Sequence, residues 1–133
     1  MRLCFAAVLV ASIGTAAPAH TIEGKYHSVG PRQRYPLYDR PVPAWSTSAE
    51  VKRTGADYAI SITTVRPSGC TGQVTAKGVL TGRKIIAVAQ EERECKLAVQ
   101  FKGDVMRVRE QGTKCYMLHG MRCDFDSTLK RAR

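Results

Sequence analysis

After Ala49 the chain consists of short segments in which apolar and polar residues alternate and glycines recur between segments. A period of two is typical of β-strands that bury one face. The segment "DYAISITTV" (57–65) directs one set of side chains to a single face: Tyr58, Ile60, Ile62 and Thr64. Helical spacing is not sustained anywhere in 50–133, and a short turn before Lys52 in "STSAEVKR" is the most helix that the sequence allows. The pattern predicts an all-β fold.

The same alternating pattern predicts consecutive antiparallel strands. "GQVTAKGVL" (72–80) and "RKIIAVAQ" (83–90) form a predicted hairpin around Thr81-Gly82. "CKLAVQF" (95–101) places Leu97, Val99 and Phe101 on one face, and the return strand "VMRVRE" (105–110) turns Met106 and Val108 inward and Arg107 and Arg109 outward. Phe125 is the predicted inward residue of a last strand, "CDFDSTLKR" (123–131). Together these segments predict a small antiparallel meander or barrel.

The N-terminus carries the pattern of an export signal. Arg2 precedes an apolar run from Leu3 to Ile13, and Ala17-Pro18-Ala19 provides a small-x-small cleavage site. This arrangement predicts a secretory signal peptide over 1–19, with a buried N-terminal helix as the alternative. The run is shorter than the roughly 20 residues that span a bilayer, and no second run follows, so we expect no integral membrane span. The predicted location is periplasmic or secreted.

Residues 20–49 differ from the rest of the chain because prolines interrupt them at 31, 36, 41 and 43. Neither helical nor alternating periodicity is present, which predicts an irregular, extended arm before an antiparallel β domain over 50–133. Aromatic and basic residues are interleaved in this arm: Tyr35, Tyr38 and Trp45 with Arg32, Arg34 and Arg40. Such side chains either stack on a partner or lay the arm against the domain surface.

Removal of the signal peptide leaves four cysteines, Cys70, Cys95, Cys115 and Cys123. An even number in a small exported chain predicts two disulfides. If Thr81-Gly82 is a two-residue loop, Cys70 lies two positions from the residue opposite Cys95. This register favours the pairs Cys70–Cys95 and Cys115–Cys123, although four cysteines allow three connectivities.

The spacing of Cys115, His119 and Cys123 in "KCYMLHGMRC" raises a second possibility, because thiolates and an imidazole at intervals of four can bind zinc on a helix. Gly120 and the strand-like sequence that follows argue against that helix, and export favours disulfides. His119 is then expected in a turn, partly exposed. The acidic cluster Glu91, Glu92 and Glu94 is interpreted as a solvated loop. We expect no catalytic residues, no metal site and no cofactor, since no familiar catalytic motif occurs.

Charge provides the main functional indication. Without Arg2 the chain has 20 basic and 11 acidic residues, a net charge of +9, and cationic proteins are attracted to anionic surfaces. If the last strands are neighbours, their outward cations form a basic stripe that predicts an anionic-ligand site: Lys96, Lys102, Arg107, Arg109, Lys130 and Arg131. The alternative is an ordinary solvated sheet face that keeps the protein soluble.

The second half of the chain also resembles a group of known proteins. Its cysteine-led strand "ECKLAVQF", glycine turn, basic return strand and "HGMRCDF…LKR" are similar to small exported, disulfide-containing β-rich proteins of Gram-negative bacterial envelopes, some of which are lysozyme inhibitors or related to them. The resemblance covers about residues 56–131. It implies a compact antiparallel barrel or meander and a periplasmic location, and it assigns no inhibitory residues.

Three functions follow as hypotheses. The first is a non-enzymatic binding protein that uses its basic sheet face for an anionic envelope component or a protein partner, nucleic acid not being the expected ligand. The second is an inhibitor of an enzyme such as a lysozyme, acting through loops. The third is a hydrolase with a site dispersed along the sequence. The ligand and the oligomeric state stay open.

Overall fold

The computed structural model describes residues 21–133, so the predicted signal peptide lies outside the described residues. This part of the chain is all-β and contains a closed eight-stranded antiparallel barrel. A single 3₁₀ turn, Cys115–Leu118, interrupts the strands. The strands are β1 (Gly24–Val29), β2 (Arg32–Gln33), β3 (Val42–Pro43), β4 (Ser46–Thr54), β5 (Asp57–Val65), β6 (Thr71–Gly78), β7 (Leu80–Thr81), β8 (Lys84–Ala89), β9 (Cys95–Lys102), β10 (Val105–Gly112) and β11 (Ser127–Arg131).

The barrel follows the order β6-β5-β4-β1-β11-β10-β9-β8 and closes where β8 pairs with β6. Every pairing is antiparallel, and β7 extends the sheet edge beside β8. The remaining short pair, β2 with β3, forms a separate small hairpin between β1 and β4. The first and last strands of the chain, β1 and β11, are neighbours within this order.

Alternating side chains fill the barrel, as the sequence predicts. In β9 Leu97, Val99 and Phe101 are buried, and in β10 Met106 and Val108 are buried while Arg107 and Arg109 face solvent. The inward face of β5 is confirmed as well. Phe125 is fully buried although it precedes β11, where Leu129 is the buried residue.

The register arranges the inward side chains of β1, β4, β5 and β6 in rows. Tyr26, Ala49, Ile62 and Val74 lie side by side in one row; Val51, Ile60 and Ala76 lie beneath them. All seven are buried. Burial of an aliphatic side chain contributes roughly 1.5–3 kcal/mol, so these apolar rows are a main source of the barrel's stability.

The two ends of the barrel differ. At one end the strands are joined by tight turns, including 103–104 between β9 and β10. The other end, here called the loop end, carries the long connections: residues 30–45, 66–70, 90–94 and 113–126. Both disulfides also lie at the loop end, since Cys70 and Cys95 begin or precede strands there.

The predicted arm over 20–49 differs from the structure. Gly24–Val29 is a barrel strand between β4 and β11, and β4 begins at Ser46, in the segment where the sequence allowed a helical turn. The inward positions of β1 are Gly24, Tyr26 and Ser28, so only one is a large apolar residue and the alternation is faint. Residues 30–45 alone keep an irregular path, with the β2–β3 hairpin inside it.

The predicted disulfide pairing is wrong, since Cys70 bonds Cys123 and Cys95 bonds Cys115. The turn after β7 is 82–83, because Thr81 pairs with Lys84. Strand β8 then ends at Ala89 and the chain reverses direction. Cys95 is therefore the first residue of β9, and β8 separates β9 from β6. There it pairs with Gly112 of β10, three residues before Cys115.

The partner of Cys70 comes from the long 113–126 connection. This segment runs beside β6 beyond the end of β8, where Gly72 and His119 form an isolated bridge. A Cβ on Gly72 would lie 2.6 Å from the Cβ of His119, so the close approach requires glycine. Cys123 therefore reaches Cys70, with 6.0 Å between their Cα atoms. Within 21–133 no helix has the length and apolar character needed to cross a bilayer.

Candidate functional site

The outward side chains of β8 to β11 form a surface that we call the basic face. Alternation in each strand turns the following cations outward: Lys84, Lys96, Lys102, Arg107, Arg109 and Lys130. The register places Lys84, Gln100, Arg107 and Thr128 in one row across the four strands. Lys102, Val105 and Lys130 form the next row toward the tight turns. Five of the six predicted ligand-binding cations thus share one surface.

Arg131, the sixth predicted residue, does not belong to the basic face. Its guanidinium lies 5.0 Å from the centroid of the Tyr26 ring and donates hydrogen bonds to the backbone oxygens of Glu23 and Thr21. It also forms an ion pair with Asp104. Arg131 therefore ties the N-terminal segment to the end of the barrel.

Lys84 also belongs to the basic face, although it is not among the six cations predicted from the sequence. Its strand was predicted, but only the pairing of β8 with β9 places Lys84 opposite Gln100 and in the same row as Arg107. The alternation in "KIIAVA" could have predicted the orientation of Lys84, because Ile85 and Ala87 are buried and Lys84 must therefore point outward.

Positive charge on the basic face is not neutralised locally. The outward positions of β8 to β11 contain no acidic residue. None of the six cations forms an ion pair in the described part of the chain, where the pairs involve Lys52, Lys114, His119 and Arg131 instead. Like charges on neighbouring strands cost stability unless counterions or a ligand neutralise them. The face is therefore suited to an anionic partner.

Two shallow grooves cross the basic face. One, of about 230 Å³, is lined by Lys84, Arg107 and Arg109 together with the amides of Gln100 and Gln111. The second, of about 310 Å³, continues past Arg107 toward Lys102 and Thr128. Guanidinium and amide groups can donate several hydrogen bonds to phosphate, sulfate or carboxylate oxygens. The grooves would position such groups near Arg107, which borders both.

The opposite side of the barrel has a different character. The outward residues of β4, β5 and β6 are mainly hydroxylated or amide side chains: Ser46, Ser48, Ser61, Thr63, Thr71, Gln73 and Thr75. Lys52 forms an ion pair with Glu50 there, 3.2 Å apart. Lys25 and Lys77 are also exposed on this side, but Glu50 lies opposite Lys25 in the register, whereas the basic face has no outward acidic residue. Positive charge is therefore denser on the basic face.

Cys115, His119 and Cys123 do not form a common site. Each cysteine is bonded to a distant partner, so neither provides a thiolate. The His119 side chain is 6% exposed, packs edge-on against Phe125 and lies between two oxygens, with Nδ1 2.7 Å from the Gly120 carbonyl and Nε2 2.7 Å from Glu110 Oε1. The expectation of a partly exposed ring is wrong, because the loop folds inward over β6. Within 21–133 no group of three or more potential ligands could hold a metal ion.

The acidic cluster lies in the turn between β8 and β9 at the loop end. Glu94 forms an ion pair with Lys114 across to the 113–126 connection. The hydrogen bond that Lys114 donates to Glu94, together with the negative charge of Glu94, raises the pKa of Lys114. Glu92 accepts a hydrogen bond from the backbone N–H of Glu94, which holds the turn. The contacts of Glu92 and Glu94 thus serve loop structure.

Comparisons with protein-family models, with curated proteins and with solved structures find no match to this chain. The resemblance to lysozyme inhibitors therefore stays an expectation from the sequence.

Proposed function

We propose that the protein is an exported, non-enzymatic binding protein whose basic face holds an anionic component of the cell envelope. The observation that carries the proposal is the concentration of six cations on four adjacent strands whose outward positions hold no acidic residue; none of the six forms an ion pair within residues 21–133. Two disulfides support a periplasmic or secreted location, because such bonds persist in oxidising compartments. The rigid sheet holds the cations at fixed spacing, which reduces the entropic cost of binding.

The proposal is tested by neutralising one side of the barrel at a time. The first variant carries Lys84→Gln, Lys96→Gln and Lys102→Gln on the basic face. The matched control carries Lys25→Gln, Lys52→Gln and Lys77→Gln on the outward side of β1, β4 and β6, so both variants lose three positive charges. Binding to vesicles that contain phosphatidylglycerol and to soluble dextran sulfate distinguishes a lipid headgroup from an anionic polysaccharide.

A lysine near an anionic surface contributes about 1 kcal/mol, so the basic-face variant should lose about 3 kcal/mol, on the order of 100-fold in affinity. The control should lose far less, because its lysines lie on other strands. Wild-type binding should weaken steeply between about 50 and about 500 mM salt. Equal losses in the two variants would show that only net charge matters, and unchanged binding at high salt would exclude an electrostatic site.

A second candidate, inhibition of an enzyme such as a lysozyme, is favoured by the 113–126 connection. Tyr116, Met117 and Met121 are 63%, 60% and 100% exposed, and both disulfides brace the segment that carries them. Exposed aromatic and methionine side chains on a rigid loop are typical of protein-binding surfaces. This candidate predicts a one-to-one complex with little salt sensitivity. A muramidase assay with excess protein tests it, and undiminished activity would remove the lysozyme form of the proposal.

A further inference from the structure

A cleft opens at the loop end, where the first and last strands of the barrel separate. Strands β1 and β11 share only two registered pairs, Tyr26 with Arg131 and His27 with Lys130. Beyond His27 the two strands diverge, and a cavity of about 380 Å³ occupies the gap. This volume lies within the range of small-molecule sites, which is about 300–1,000 Å³.

The floor of the cleft is built from hydroxyl groups. Ser28, Thr47 and Thr64 are consecutive partners in the register, and they form the inward row next to the apolar row of Tyr26 and Ile62. Thr47 and Thr64 are 4% and 2% exposed, and their hydroxyl oxygens lie 3.1 Å apart. Ser127 and Thr128 add hydroxyls from β11. Aliphatic residues would pack here at lower desolvation cost, so the polar row points to a ligand that forms hydrogen bonds.

One wall of the cleft is the indole of Trp45. A Cβ on Gly30 would lie 2.4 Å from Cε3 of this ring, so the Gly30 backbone lies directly against the indole. The Gly30 N–H also donates to the Trp45 carbonyl at 2.9 Å. Trp45 is nevertheless 38% exposed and lines the cavity. An aromatic ring supported by backbone and open to a cleft is a rigid platform for stacking.

Charged groups surround the same cavity without neutralising one another. Arg66, Asp124 and Asp126 all line it, yet no ion pair joins them in the described part of the chain. Arg66 Nε is buried and has no hydrogen-bond acceptor among the described residues, whereas Asp126 Oδ1 accepts the Glu110 N–H at 2.7 Å. Unpaired donors and acceptors around an open space are able to bind a polar ligand.

We infer that this cleft binds an uncharged pyranose ring of a saccharide, with its C–H face on Trp45 and its hydroxyls on Asp124, Arg66 and the threonine floor. A sugar offers both an apolar face and several donors and acceptors, which matches the mixed lining. Two carboxylates disfavour an anionic ligand in the cleft, and a purely apolar ligand would leave the buried hydroxyls without new partners. The cleft shares Thr128 with the basic face but none of its six cations, and the inference does not depend on the function proposed for that face.

Trp45 is the single tryptophan of the chain, so its fluorescence and its indole N–H resonance report directly on the cleft. The probes are three uncharged oligosaccharides: maltotetraose, cellotetraose and chitotetraose. At least one should shift the Trp45 signals saturably, with a Kd in the range of about 0.01–1 mM for a small ligand. The substitution Asp124→Ala, at an exposed position, should weaken this binding about tenfold, because a sugar hydroxyl loses its acceptor.

The double variant Lys84→Gln, Lys96→Gln is the matched control for the basic face and should bind the same oligosaccharide with unchanged affinity. The inference is overturned if none of the three oligosaccharides moves the Trp45 resonance at about 10 mM, an order of magnitude above the weak limit of such affinities. It is also overturned if Asp124→Ala binds as tightly as the wild type, or if dextran sulfate alone shifts the signals.

Discussion

Glu110 holds the 113–126 connection to the barrel, and its removal should destabilise the protein. It is the inward residue after Met106 and Val108 in β10, with its side chain 21% exposed. Oε1 accepts the backbone N–H of Phe125 at 2.8 Å and lies 2.7 Å from His119 Nε2. The Glu110 N–H donates in turn to Asp126 Oδ1. Two reciprocal contacts therefore fix the segment that carries the buried Phe125.

The expected effect of Glu110→Ala follows from these contacts. A hydrogen bond to a charged group contributes about 1.5–3 kcal/mol, and its loss leaves the Phe125 N–H without its acceptor and removes the carboxylate beside His119 Nε2. Some water can reach the site, which moderates the cost. We expect the free energy of unfolding to fall by about 2–3 kcal/mol. Glu110→Gln keeps an amide oxygen for Phe125 and should lose about 1 kcal/mol.

Urea unfolding with both disulfides intact, followed by far-ultraviolet circular dichroism, measures these differences. Glu91→Ala is the matched control, because it removes an exposed glutamate at the same end and should change stability by less than about 0.5 kcal/mol. Hydrogen exchange of the Phe125 amide should accelerate in Glu110→Ala, since its acceptor is gone. A change below about 0.5 kcal/mol in Glu110→Ala, with Phe125 exchange unaltered, would refute the reasoning.

Two further predictions concern the disulfides and Tyr26. Cys70–Cys123 closes a separation of 53 residues, and Cys95–Cys115 closes one of 20. Replacing the first pair by serine should lower the free energy of unfolding in urea by about 4 kcal/mol, and replacing the second by about 3 kcal/mol. The reverse order would contradict a loop-entropy origin. Burial raises the pKa of Tyr26 above 10.0, although Arg131 opposes the shift. The folded state therefore favours the neutral phenol, and the stability that this preference contributes is lost as pH rises through the folded pKa. Absorbance titration of wild type against Tyr26→Phe measures that ionisation, and an equal loss of stability above pH 10.0 in both proteins would contradict it.

Local patterns predicted those parts of the fold that depend on one strand at a time. The alternation of Leu97, Val99 and Phe101 is sufficient to define β9, because each inward position meets the same core. The outward cations of β9 and β10 follow from the same rule. In β1 the rule gives little information, since Gly24 and Ser28 occupy inward positions. A strand with a single large buried residue, Tyr26, becomes visible only through its neighbours in the barrel.

Features that depend on several strands were beyond such patterns. The disulfide connectivity required the length of β8, because a strand that ends at Ala89 sends Cys95 into β9 instead of along β6. The cleft required barrel closure, since Trp45, Thr64 and Thr128 are far apart in sequence and meet only when β1 and β11 become neighbours. Period-two alternation contains no information on either point, since it is a property of one segment.

The seam between β1 and β11 links the stability of the barrel to its cleft. Two registered pairs are few for a closing contact, and both lie toward the tight-turn end. Arg131 reinforces that end by covering the Tyr26 ring and by donating to backbone oxygens of the N-terminal segment. The Ala132 N–H adds a bond to the Lys25 carbonyl. Because these contacts hold the seam at one end, the strands can diverge at the other without opening the barrel. An arginine that the sequence suggested as a ligand contact therefore serves to keep the seam closed beside the cleft.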